Sequence, residues 1–196
     1  MSFTVSRAWE HLSREARSRR SRYGGNGEIT DTVFRGEYSS FRGGAVFLPG
    51  SQMVVRNTIF EDCGTAGSPA GSAAYVGNSA QVTFDGCVFR DNTAGHDGSA
   101  LRIADAAAVE LISCSFEGND QDVITMSGST TLYSLDSAFD DDSVVGFGSS
   151  WDGTAEFVCD DIDRLLPTIN DASSCMDCID VSSCAAPSAW FNAGSP

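Results

Sequence analysis

Two histidines, His11 and His96, are all this chain offers for imidazole chemistry, and it contains no lysine. His96 stands in Gly95-His96-Asp97, shortly before Arg102-Ile103-Ala104. A histidine beside an aspartate suits proton transfer, and an arginine suits recognition of a carboxylate. No aspartate cluster converges on that spot, and nothing around either histidine completes a Ser-His-Asp set. His96 therefore reads as a solvated turn residue. Asp140, Asp141 and Asp142 offer oxygens to a hard cation, but the run lacks the glycine-punctuated ligand spacing of a calcium loop. Without lysine there is no Schiff-base chemistry. No catalytic residue, metal or cofactor is assigned.

Seven cysteines fall into two groups. Cys159, Cys175, Cys178 and Cys184 crowd a tail rich in Ser, Ala and Asp. An even count in an irregular segment predicts two disulfides stapling a small C-terminal cap. A four-cysteine zinc site would need two close pairs, and only Cys175-x-x-Cys178 is close. A thioredoxin-like motif would need a βαβ setting, which is missing. Cys63, Cys87 and Cys114 are expected instead as reduced, buried thiols, with Cys87 and Cys114 packed as small hydrophobes in one inward column.

What must position these residues is a repeat. GGAVFLPGSQMVVRNTIFEDC (43–63), GSAAYVGNSAQVTFDGCVFRDN (71–92) and GSALRIADAAAVELISCSFEGN (98–119) align, each opening Gly-x-Ala and closing on a Phe. A weaker copy runs to Asp142, and a fragment closes on Phe34. Apolar residues alternate with period two, which is strand patterning. The inward columns are Val46/Ala74/Leu101/Ile124, Leu48/Val76/Ile103/Met126, Met53/Val82/Val109/Leu132, Val55/Phe84/Leu111/Ser134, Thr58/Cys87/Cys114/Ser137 and Phe60/Phe89/Phe116/Phe139. Short strands separated by Gly, Asn and Asp turns, at a period too short for a propeller blade and without helical pattern, predict an all-β, right-handed single-stranded parallel β-helix. We expect about five to six coils with three short strands per coil. Asn92 and Asn119 share one turn position three residues after the closing Phe, and Asp142 takes it in the fourth copy. An Asn there can stack on its copy one coil away and hydrogen-bond free backbone groups at the bend. Asp62 and Asp91 share another turn, where exposed acids are ordinarily just solvated.

Residues 1–27 are expected to be an amphipathic cap helix, with Trp9 and Leu12 on its apolar stripe, followed by a Gly-rich joint, with an Arg- and Ser-rich targeting presequence as the rival reading of residues 1–22. Residues 28–158 are expected to be the β-helix, and 159–196 a Cys-rich irregular tail or cap. The formal net charge is −15, and six of the twelve basic residues, all Arg, lie in the first 22 positions. From Tyr23 onward six arginines face twenty-five acids, a formal −19. That surface repels nucleic acid. No run of eighteen apolar residues is present, so no membrane span is expected.

Gly-Gly-Ala-Val (43–46), Phe-Arg-Asp-Asn (89–92) and Phe-Glu-Gly-Asn (116–119) resemble the GGA[I/L/V] and FxxN repeats of chlamydial polymorphic outer membrane proteins. More broadly they resemble β-helix repeats of the pectate-lyase type. Gly71-Ser72-Ala73 and Gly98-Ser99-Ala100 soften the first element, and Cys63 breaks the second. The resemblance implies a non-catalytic surface or extracellular module for adhesion, glycan binding or protein binding, with a polysaccharide or surface protein as partner. The alternative it implies is a lyase, hydrolase or epimerase acting on an acidic polysaccharide. The chain shows no secretory apolar region in its first 22 residues, so a fragment of a longer surface protein is a third expectation. The binding site expected from the column pattern is outward-facing: Phe47, Tyr75 and Arg102, followed by Thr125, are predicted to point to solvent from one sheet and to stack on sugar rings or bind a carboxylate, against the rival readings that a terminal tail folds back over this face or that β-favouring aromatics simply fill the sheet surface.

Overall fold

A computed structural model describes residues 25–158, except 41, 67–70, 72, 95–97, 99, 121, 141–143 and 148–150, together with the backbone of strands Phe3–Val5, Ser21–Arg22, Thr168–Ile169 and Ile179–Ser182. The chain winds as a parallel solenoid of about four turns with four parallel sheets. Every strand pairs with its counterpart one turn away, never with its chain neighbour. We name the sheets A to D. In one turn the chain passes through sheet B (Ala74–Gly77), sheet A (Gln81–Asp85), sheet C (Val88–Arg90) and sheet D (Thr93–Ala94). It then enters sheet B again at Leu101–Ile103.

The register follows from which side chains must leave water. Ala74 pairs with Val46 on one side and Leu101 on the other, and Leu101 pairs with Ile124. Met53, Val82, Val109 and Leu132 form one inward column of sheet A, and Val55, Phe84, Leu111 and Ser134 the next. A one-residue slip would turn each of these columns to solvent, so the apolar pattern holds the register. Along sheet C, Phe34, Phe60, Phe89, Phe116 and Phe139 are stacked with ring centroids 5.2, 4.8, 4.9 and 4.7 Å apart and nearly parallel planes. Parallel, in-register strands about 4.8 Å apart impose that spacing on like side chains.

The bends are built from residues that tolerate left-handed backbone. Between sheets A and C sit Asp31, Asn57, Gly86, Ser113 and Asp136, all at φ of 47–61°. The bend after sheet C holds Gly36, Asp62, Asp91 and Gly118 at 53–67°. Asp, Asn and Gly enter this region at least cost, which is why they recur there.

Inside the bend after sheet C, Asn92 is fully buried. Its amide donates to the carbonyl of Phe60 at 3.1 Å and to Asn119 Oδ1 at 2.8 Å, and its own oxygen accepts from the Cys63 amide at 3.0 Å. Asn119 repeats the pattern one turn on, donating to the Phe89 carbonyl at 2.9 Å. Asp142 lies outside the described residues. Cys63, Cys87 and Cys114 are buried free thiols. Burial pushes the Cys63 thiol up to about 12. Cys114 is also raised, by its hydrogen bond with Cys87 and by burial. The four tail cysteines, Cys159, Cys175, Cys178 and Cys184, lie outside the described residues.

Three expectations change. Three successive turns carry a fourth sheet, made of the two-residue strands Tyr38–Ser39, Gly64–Thr65 and Thr93–Ala94. Two residues are too few to show a period in sequence. Phe3–Val5 is a strand paired with Gly27–Ile29, and Ser21–Arg22 pairs with Val46–Phe47, so the expected helix does not extend over either segment. There is no helix among the described residues, and residues 6–20 lie outside them. Finally, strand pairing carries on past residue 158, beyond Thr154–Val158, which pairs along its whole length with Thr131–Leu135. Sheets A and B continue into Ile179–Ser182 and Thr168–Ile169, inside the stretch expected to be irregular. Ile179 and Val181 keep the period-two pattern there, and pair with the buried Ala155 and Phe157.

Candidate functional site on the outer faces of the coil

The outward column of sheet B has the predicted register: Phe47, Tyr75, Arg102 and Thr125 are successive partners. Its predicted exposure is wrong. Tyr75 is 1% exposed, Arg102 8% and Thr125 4%, and only Phe47 is half-open. The Tyr75 ring tilts against Phe47 at 5.3 Å and leans over Gly77, where a Cβ would lie 2.6 Å from it. Its hydroxyl donates to Asp105 at 3.1 Å, and the Arg42 guanidinium lies 4.7 Å above its ring. Burial pushes that hydroxyl up to about 12. Arg102 Nη2 donates to Ser127 Oγ at 3.1 Å.

The glycines that open each repeat explain the cover. A Cβ on Gly71 would sit 2.7 Å from Arg102 Cβ, and one on Gly98 would sit 3.1 Å from Thr125 Oγ1. The segment entering each turn of sheet B is pressed onto the outward side chain of the next turn. Only glycine permits that approach. Gly43 is tight within its own turn, at φ 59° with a Cβ position 2.1 Å from the Val46 carbonyl oxygen. Tyr75 and Arg102 thus belong to a covered layer that ties the entry segments to sheet B. His96 and Asp97 lie outside the described residues.

The faces that do meet solvent are those of sheets A and C. On sheet C, Arg35, Glu61, Arg90 and Glu117 form one outward column with alternating charge. Glu61 accepts from Arg35 Nε on one side and from Arg90 Nη2, 2.9 Å away, on the other. The hydrogen bond from Arg35 holds the Glu61 carboxyl below its ordinary range. Around the bend, on sheet D, Tyr38 is 56% exposed. Its ring lies along Gly64, where a Cβ would be 3.0 Å from Cδ2, and Thr93 follows in the same column. On sheet A, Arg56 bridges Glu28 at 2.5 Å and Asp85 at 3.3 Å, Gln52 bonds Gln81, and Thr83 bonds Glu110. Arg35, Arg90 and Tyr38 were missed in the sequence. The charge alternation was available there, two residues before each Asn-ladder position, but only the sheet register shows it as one column.

Among the described residues no group of three or more His, Cys, Asp or Glu side chains is placed to hold a metal ion. No helix among them is long and apolar enough to cross a membrane.

Four stacked parallel sheets with in-register ladders of Phe and Asn define the class: a parallel β-solenoid built from imperfect repeats. Residues 16–141 match the sequence profile of the family described as "Right handed beta helix region", and the chain belongs to that family. No curated protein and no solved structure matches the chain significantly.

Proposed function

We propose that this β-helix is a non-catalytic binding module, extracellular or at a cell surface, that engages a polysaccharide or surface protein through the corner between sheets C and D. The observation that carries this is Tyr38, an exposed aromatic ring with one edge against Gly64, three residues after the exposed Arg35. A flat ring with an open face stacks on the apolar face of a sugar, and an arginine nearby donates to hydroxyl or carboxylate oxygens. The likeness of the GGA and FxxN repeats to those of chlamydial surface proteins supports the same reading. The strongly acidic body favours a neutral glycan over a polyanion, since like charges repel.

The test is a binding titration against immobilised neutral and uronate-containing glycans, with Tyr38→Ala as the partner variant. The expected result is saturable binding to a neutral glycan that Tyr38→Ala weakens roughly tenfold while leaving the thermal midpoint unchanged, a loss of about 1.4 kcal/mol. Binding unaffected by Tyr38→Ala would overturn the site. New unsaturated or reducing ends in the glycan would overturn the non-catalytic reading and favour a polysaccharide-cleaving enzyme.

A further inference from the structure

Among its described residues, sheet C turns a charge-balanced face outward. Its outward side chains form two columns. One is Val33, Ile59, Val88, Ser115 and Ala138, and the other is Arg35, Glu61, Arg90 and Glu117. In the first column Val33 is 53% exposed, and Ile59 and Val88 are half-buried. In the second, both arginines turn to Glu61. Arg35 donates to it through Nε, and Arg90 donates through Nε at 3.0 Å. Glu117 is exposed and has no ion-pair partner among the described residues. The next acid, Asp140, turns its carboxylate back to the Gly118 amide.

The placement of charge singles this face out. From Tyr23 onward six arginines are set against twenty-five acids. Two of those six stand in this one column with two glutamates, so its four charges sum to zero. The outward side of sheet A instead sets Arg56 among Glu28, Asp85, Glu110 and Glu156. Two copies of a chain with formal charge −15 repel one another at long range, and a face without net charge keeps that repulsion lowest.

We propose that two copies of this chain pair face to face through sheet C, with their solenoid axes antiparallel. A two-fold axis along the strand direction reverses the order of turns and keeps each column over its counterpart. The order Arg-Glu-Arg-Glu then meets Glu-Arg-Glu-Arg. Arg35 faces the partner's Glu117, and Glu61 faces the partner's Arg90. In the apolar column Ile59 meets the partner's Val88, and Val33 meets the partner's Ser115. Axes laid parallel in register would set like charge on like, which is costly in an interface.

Spacing also favours a second copy as the occupant. Neighbouring strands place successive members of each column roughly 4.8 Å apart. An extended peptide repeats on one side at roughly 6.6 Å and a helix at roughly 6 Å, so either drifts out of phase over four positions. A second sheet C repeats at the same interval. Five strands of at most three residues make a small face, so the association is reversible and concentration-dependent. Tyr38, around the bend on sheet D, lies outside the contact.

Analytical ultracentrifugation of the full chain over a concentration series tests this, with circular dichroism and the thermal midpoint confirming that each variant is folded. A monomer–dimer equilibrium is expected. Glu117→Arg sets cation against the partner's Arg35 at both ends of the column and is expected to weaken the dimer at least tenfold. Adding Arg35→Glu to that variant restores opposite charge across the contact while ending the alternation within each chain. The double variant is therefore expected to recover the dimer. Tyr38→Ala is expected to leave the dimer unchanged, which separates this contact from glycan binding at the corner. A monomer at every concentration, a dimer indifferent to Glu117→Arg, no recovery in the folded double variant, or loss of the dimer with Tyr38→Ala would each overturn the proposal.

Discussion

Replacing Phe89 with Ala is the sharpest test of the stacked core. Phe89 is fully buried between Phe60 at 4.8 Å and Phe116 at 4.9 Å, with Phe84 meeting it edge-on at 5.5 Å. Truncating a buried Phe removes its transfer free energy and leaves a cavity, together about 3–5 kcal/mol. The two stacked neighbours are held by their own turns and cannot close the gap without breaking register, so the upper half of that range, about 4–5 kcal/mol, is expected. Phe34→Ala provides the internal control. Phe34 is partly buried and has one described ring neighbour, Phe60 at 5.2 Å, so its loss should be smaller, about 1–3 kcal/mol. Urea unfolding followed by far-ultraviolet circular dichroism, with the slope checked between variants, gives both numbers. A Phe89→Ala loss below about 1 kcal/mol, or equal losses at the two positions, would refute the argument that the stack is closed around Phe89 and open at Phe34.

Two further perturbations address polar groups. Asn92→Ala leaves the Cys63 amide and the Phe60 carbonyl without their buried partner and should cost about 2–4 kcal/mol in the same unfolding assay, whereas Thr93→Ala on the exposed side of the turn should cost under about 1 kcal/mol. Glu37 begins the turn column that continues through Cys63, Asn92 and Asn119, and burial raises its carboxyl above the ordinary range. A carboxyl raised in the folded chain contributes stability below its ordinary pKa and loses it as pH rises through the folded value. Glu37→Gln should therefore raise the thermal midpoint at pH 7 and leave it nearly unchanged near pH 3. An effect of equal size at both pH values would show that the carboxyl is not desolvated.

The repeat, its strand character and the inward columns were legible in the sequence because they are local and periodic. Like residues at one spacing, alternating every second position, can be satisfied only by strands stacked in register, so Val46, Ala74, Leu101 and Ile124 had to become neighbours. The Asn ladder was legible for the same reason, since a side chain that bonds backbone at a bend must recur at each bend. What surrounds the coil was decided elsewhere. An outward column in sequence is a geometric direction and carries no information about cover. Tyr75 and Arg102 do point away from the core, yet the segments entered by Gly71 and Gly98 close over that column, and the contact joins one turn to the next. The same glycines were visible as the start of each repeat, but close approach to a neighbouring turn is a tertiary fact. Sheet D escaped notice because two-residue strands have no period, and its exposed Tyr38 with it. The sequence by itself thus determined which residues face the core, because burial of apolar side chains enforces the period. Only the tertiary structure decided which outward faces meet water, because that depends on where the segments between strands come to rest.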